Sequence, residues 1–241
     1  MRKNLFMFMK KKHFQSFKWA LLTCSVVIFM SCSNADERKN FGLKGNVKNY
    51  FERLYEVEKK FGKWEMGSMA SYGHNRVTFD ENGLYQEFEY YIYDMDLIGK
   101  LIPIRENGKV LEEIYYDENG YPKSKTTIKH ISKNEVDFES FDSEGKKNSY
   151  GKTIRKNGNI INQFSTTIRS NVEDEKYTTL FEYDKDGNLI SRKQTNQKGE
   201  IVVHLRFEYL EFDEKKNWTK RLIYEKDDKP ENIAIREIEY Y

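Results

Sequence analysis

The chain is poor in the residues that mark several familiar architectures. It has two cysteines in 241 residues, and Cys24 lies inside an apolar stretch near the start, so no disulfide framework can be built from the remainder of the chain. Only three prolines are present, which leaves most of the chain free to donate backbone hydrogen bonds. Beyond the first 32 residues the histidines are His74, His130 and His204, too scattered for the short ligand spacing of a zinc motif. Neither a G-x-S-x-G nor a Walker loop occurs. Carboxylates are so plentiful that none stands out as half of an acid pair. These absences nominate no catalytic residue, no cofactor and no metal. A hydrophobic share of 38% beside 33% charged residues also argues against a thick aliphatic interior.

What recurs instead is glycine at the end of short polar clusters: FDENG, RENG, YDENG, FDSEG, RKNG, YDKDG and NQKG. The glycines stand at 83, 108, 120, 145, 158, 187 and 199, and their gaps of 25, 12, 25, 13, 29 and 12 are near multiples of one unit. A unit of roughly 12 to 13 residues is one strand plus one turn. Asp and Asn bond their own backbone and Gly accepts positive φ, so these steps predict hairpins. Turns at Asp94, Asp96 and Gly99, at Ser132 to Asn134, and at Ser170, Asn171 and Asp174 would split the three long gaps.

Between turns the chain alternates with period two. Ile201, Val203, Leu205, Phe207 and Tyr209 share one face, with His204, Arg206 and Glu208 on the other. With 17 Tyr and 16 Phe, these are strand-like runs. Val47, Tyr50, Phe51, Leu54, Val57 and Phe61 also fit helical spacing, so a first helix over residues 46–60 stands beside a long opening strand. The predicted fold class is all-β: an antiparallel meander of about a dozen strands, forming a long twisted or curled repeat sheet.

The N-terminus reads as an address. Arg2, Lys3, Lys10, Lys11, Lys12 and Lys18 form a basic start without acids, and Trp19 to Met30 is apolar but too short for a lasting span. Ser31 then precedes Cys32. FMSC resembles a bacterial lipobox, although Met30 departs from its commonest form. That resemblance implies a signal peptide over 1–31, cleavage before Cys32, and lipid on Cys32 holding the chain at a membrane. Residues 32–40 read as a flexible tether and 41–241 as one β-repeat domain. Ala35, Asp36 and Glu37 resemble the short acidic signal that sends lipoproteins of the Bacteroidota to the outer leaflet of the outer membrane, while a plain acidic linker fits as well. Without the start, 35 Lys and Arg face 39 Asp and Glu, so no basic excess suggests nucleic acid.

YDENG, YDKDGNLISRK and FDEKKNWTKRLIYE resemble the YD repeats of RHS proteins, whose strands spiral into β-shells, and the whole of 41–241 is similar to RHS-like lipoproteins of the Bacteroidota. Lys215 and Lys216 replace the glycine step in one repeat. About a dozen strands fall short of a closed shell. Asp184, Asp186 and Asn188 imitate the start of a calcium loop, but Leu189 and Thr195 occupy the positions that need Gly and Glu. The resulting expectation is a lipid-anchored, non-enzymatic protein of the cell envelope, at the outer membrane on either its periplasmic or its surface face, that presents a sheet to a glycan, peptide or envelope partner. A glycan-directed hydrolase and a purely structural envelope role are the alternatives.

Overall fold

The computed structural model describes residues 36–92, 95–170, 172–225 and 228–241. A short 3-10 helix, Glu37–Phe41, is followed by fifteen strands among the described residues. The first eight are β1 (Val47–Lys60), β2 (Lys63–Met69), β3 (His74–Phe79), β4 (Tyr85–Ile92), β5 (Asp96–Glu106), β6 (Lys109–Asp117), β7 (Pro122–His130) and β8 (Glu135–Asp142). Then come β9 (Lys147–Lys156), β10 (Asn159–Thr167), β11 (Glu175–Tyr183), β12 (Leu189–Asn196), β13 (Ile201–Phe212), β14 (Trp218–Tyr224) and β15 (Asn232–Tyr240). From β3 to β15 each strand pairs antiparallel with the next, as the turn chemistry predicts.

The ends of this meander meet. β1 pairs with β15 from Val47↔Tyr240 to Glu56↔Asn232, and its other edge carries β3 and then β2. The sheet is therefore a closed barrel of fourteen strands, with β2 attached to β1 alone. This corrects the open, curled sheet expected from the sequence: hairpin signals report neighbours a few residues apart, and the closing pair lies nearly the whole domain apart. It also settles residues 46–60, where β1 is a strand and not a helix. The helical spacing there is the by-product of a strand buried on both faces over Tyr50, Phe51 and Glu52.

One turn recurs six times among the described residues of the barrel. Asp117 accepts from Asn119 N–H and Tyr121 N–H, Asp142 from Glu144 and Lys146, Asp184 from Asp186 and Asn188, and Asn196 from Lys198 and Glu200. Asp80 and Asp213 take the same place in front of Leu84 and Asn217. Lys216, in the repeat that lacks glycine, adopts the left-handed φ of 65° itself. Gly99 departs from its expected loop: it lies within β5, opposite Tyr90 and beside a register shift, where any side chain would meet Tyr115.

Three loops are tighter still, with two residues between paired strands. Asn107-Gly108 and Asn157-Gly158 have φ of 51° and 74°, and of 54° and 88°. These are the residues that such a mirror-image turn prefers. The third is Phe61-Gly62, between β1 and β2, with φ of 49° and 81°.

Candidate functional site

The two ends of the barrel differ. β1 begins at one of them, with the turns around Gly83, Gly108, Ser132, Gly158, Gly187 and Lys216, and the 3-10 helix sits inside this mouth as a plug. Asp36 caps it, accepting from Arg38 N–H, and Gly42 ends it at a left-handed φ. Glu37 and Arg38 are fully buried. Arg38 donates from Nε to Val47 O (2.7 Å) and from Nη2 to Asp80 O (2.8 Å). Glu37 N–H donates to Gly83 O, and its carboxylate accepts from Tyr85 N–H and from Arg105 Nη2 at 2.7 Å. Across the mouth, Arg155 Nη1 donates to Asn40 Oδ1. Asn217 accepts from Lys44 N–H and donates back to Lys44 O, tying the strand lead-in to the β13–β14 turn. The polar stretch expected as tether up to residue 40 is thus part of the barrel from Asp36 onward. Asp36 and Glu37, two of the three residues that resemble an acidic address, have defined structural roles in the plug.

Behind the plug lies the core. Phe41 packs edge-on against Tyr50, Phe79 and Tyr85, with Leu43, Val47, Val77, Val110, Ile128, Val136 and Phe138 around them. Tyr85 donates its hydroxyl to Glu113, a buried carboxyl. Burial pushes Glu113 up to about 7, and the carboxylate of Glu37 adds to the rise. Glu37 is raised as well, first by burial, with Arg105 opposing.

Halfway along, Glu52 accepts from Arg221 (2.7 Å) and Arg236 (3.0 Å). Arg236 stacks on Trp218 and Tyr50, with 3.7 and 4.3 Å from guanidinium carbon to ring centre. Burial alone would raise Glu52, but the two guanidiniums outweigh it and hold the carboxyl below the ordinary range. Two arginines to one glutamate make this a clamp for the β1–β14–β15 seam, since Glu52, Arg236 and Arg221 sit on three adjacent strands.

Toward the other end the inward face opens. Pairing carries the inward side from Phe88 through Leu101 and Tyr115 to Ser124, and from Phe138 through Gly151 and Ser165 to Tyr177. Where Phe79, Tyr85, Val110, Val136 and Phe138 behind the plug are buried, Tyr90, Leu101, Tyr115, Tyr177, Leu205 and Ile223 are half-buried, so solvent reaches them. These aromatic and aliphatic side chains lie on the inward side of the strands toward the open end. Composition showed the aromatic excess; only the barrel shows which tyrosines it gathers.

The outer wall is charged along its strands. Lys100 reaches Glu87 (3.4 Å), Lys125 reaches Glu112 (3.1 Å), Lys152 reaches Glu135 (2.7 Å) and Arg53 reaches Glu237. A barrel that spans a membrane needs an outward apolar band about 25 Å tall. These cross-strand ion pairs occupy the place of that band.

The residues singled out in the sequence fall in separate places. His74 is buried, accepting from Leu54 N–H and facing Ala70 O, where it joins the β2–β3 link to β1; burial lowers its pKa. His130 binds Val110 O. His204 lines a shallow outer groove of about 530 Å³ with Glu182, Arg206, Glu208, Tyr224 and Asp228. There Arg206 pairs with Asp228 (3.1 Å) and Tyr224 donates to Glu208 (2.6 Å). Asp184, Asp186 and Asn188 form a hairpin turn, and among the described residues no cluster of three or more His, Cys, Asp and Glu could hold a metal. Cys32 and the signal segment 1–31 lie outside the described residues.

No family model matches the chain, and neither does any curated protein. Among solved structures the chain is similar to a porin-like protein from Bacteroides uniformis, at 9% identity and a TM-score of 0.43, over 82% of this chain and 98% of that one.

Proposed function

We propose that the chain is a lipid-anchored, non-enzymatic barrel of the cell envelope, tethered through Cys32 with its plugged end toward the membrane and its open end toward a glycan or peptide ligand. The observation that carries this reading is the barrel's polarity: the N-terminus enters at the closed mouth, and the half-exposed ring of Tyr90, Tyr115 and Tyr177 lies at the other. From Cys32 to Asp36 the chain reaches at most about 14 Å, so an acyl anchor would hold the plugged mouth close to the headgroups. The charged outer wall supports anchoring on a membrane over crossing it. Tyrosine faces stack on sugar rings and their hydroxyls bond to them, which favours a glycan or a peptide over an aliphatic ligand. The acidic Ala35–Glu37 stretch supports the outer membrane surface as destination less than the sequence alone implied, because Asp36 and Glu37 already serve the plug.

A hydrolase is the weaker reading. The outer groove's acids meet open water and are taken up by Arg206 and Tyr224, and Glu113, the carboxyl with a pKa near neutrality, is sealed under the core.

The test has two arms. After a high-salt wash wild type should stay with the membranes and Cys32→Ala should be released while still folded; a wild type released by the wash would remove the anchor. Oligosaccharide and peptide libraries should yield a ligand for the released form, with Tyr177→Ala weakening it about ten-fold and leaving the fold intact. A ligand that binds Tyr177→Ala and Tyr115→Ala as tightly as the parent would place the site elsewhere.

A further inference from the structure

The hairpin of β1 and β2 leaves the barrel. Residues 57–60 and 63–66 continue past the last β1–β15 pair, Glu56↔Asn232, at the rim of the open end. At its apex Phe61 is fully exposed, 103% of its reference area. It is also left-handed, at a φ that a bulky residue avoids. The same two-residue turn is made twice elsewhere with Asn-Gly, so the fold does not ask for Phe here, and burial does not reward it. Its conformational strain at a protruding tip, beside the groups described next, motivates a partner outside the molecule.

The surroundings of Phe61 define that partner. Lys60 and Lys63 flank the turn as a cross-strand pair, and Lys59 lies one rung back, opposite Trp64. Lys59 and, from the neighbouring loop, Lys229 both stand over the Trp64 ring, at 5.1 and 5.9 Å. Glu58 and Glu65 face each other one rung farther from the apex, and Lys60 reaches back to Glu58 at 2.7 Å. The outermost rungs therefore carry an aromatic point within a ring of lysines, with acids held behind. That order suits the boundary of a lipid bilayer, where aromatic rings enter the headgroup level and lysines meet anionic phosphates. A protein partner would need a broader face than one turn presents.

We propose that the Phe61 hairpin tip inserts into a lipid surface bearing anionic headgroups. The tip lies at the end opposite the Cys32 anchor, so the lipid surface it enters is a second one, facing the membrane that holds the plugged mouth, and it is tested without the anchor. The mature chain, beginning at position 32 with Cys32→Ala and without the basic and apolar segment 1–31, is mixed with vesicles of phosphatidylcholine alone and of phosphatidylcholine with phosphatidylglycerol, and binding is read by co-sedimentation and by the blue shift of tryptophan emission. Binding to the anionic vesicles is expected. Phe61→Asn, which restores the turn residue used at 107 and 157 and so keeps the fold, should bind about ten-fold to a hundred-fold more weakly. Lys63→Glu should weaken binding to anionic vesicles as well. Three results would overturn the proposal: no binding to either vesicle, equal binding by Phe61→Asn, or self-association in solution that Phe61→Asn abolishes without any vesicle binding. The last would make the tip a contact between copies of the chain.

Discussion

The two ends of this barrel are built from the same kinds of strand and turn, yet one is sealed and the other is open. At the sealed end the segment 36–41, which precedes the strands, enters the mouth, and its charges are met by carbonyls, a guanidinium and an amide. At the open end nothing comparable enters among the described residues, the inward tyrosines stay wet, and a hairpin continues beyond the rim to a strained phenylalanine. The buried core backs the plug at one end, while Tyr90, Tyr115 and Tyr177 are half-buried toward the other. That difference is what the proposed function rests on.

The sharpest way to break the comparison is through the plug. Arg38→Ala would take the guanidinium from Val47 O, leave Asp80 O with Gly83 N–H alone and open a gap beside Phe79, and should lower stability by about 3 kcal/mol, whereas Lys198→Ala, in an exposed turn at the open end, should change it by less than about 0.5 kcal/mol. Chemical denaturation of both variants checks this. Equal effects would mean that the plug is not integral.

Next in size is a pH effect confined to the sealed end. Folded, Glu113 keeps its proton up to about pH 7; unfolded, it loses it near the ordinary value of 4.5. Between these the folded chain binds more protons, so its stability falls as pH rises through the window and levels off above it, by roughly 3 kcal/mol in all. Glu113→Gln should flatten that slope. Glu52 acts oppositely: its depressed carboxyl contributes stability above its ordinary pKa, lost as pH falls. Denaturation curves from pH 4 to 8 would separate the two.

A pair of glycines sharpens the comparison further. Gly83 and Gly120 share nearly the same φ, 87° and 81°, but an added Cβ at 83 would collide with Asp36 and Arg38, and at 120 would meet nothing. Gly120→Ala should therefore lose about 1 kcal/mol from backbone strain alone, and Gly83→Ala about 2–3 kcal/mol, as thermal melts would show. The smallest effect has the opposite sign: Phe61→Asn should stabilise by about 0.5–1 kcal/mol, because Asn tolerates the left-handed turn that Phe resists.

Much of this could be read from the sequence, in one register. The D-x-x-G steps located most of the hairpins, since a turn's chemistry is contained in five neighbouring residues. DEKKN was readable as a turn even with Lys216 in the glycine position. Closure was not readable, because nothing local in Val47–Glu56 says that Asn232–Tyr240 will lie beside it. The Phe61-Gly62 turn was missed for a related reason: with Phe in place of Asn it lacks the signature, and that same substitution makes it informative. The plug was read as tether because Asp, Glu, Arg, Lys and Asn look solvated until the barrel supplies partners for each. The tyrosine ring, likewise, exists only once distant strands share a mouth.

Amide hydrogen exchange on the Cys32→Ala chain tests the central claim most directly. Among the described residues, the amides of Glu37 and Leu43 in the plug and of the β1–β15 seam should exchange as slowly as those of β6 to β8, because plug and seam open only when the barrel unfolds. If Glu37 and Leu43 exchanged at the rate of an open chain while the strands stayed protected, the plug would not close this end, and the polarity on which the functional reading rests would be lost.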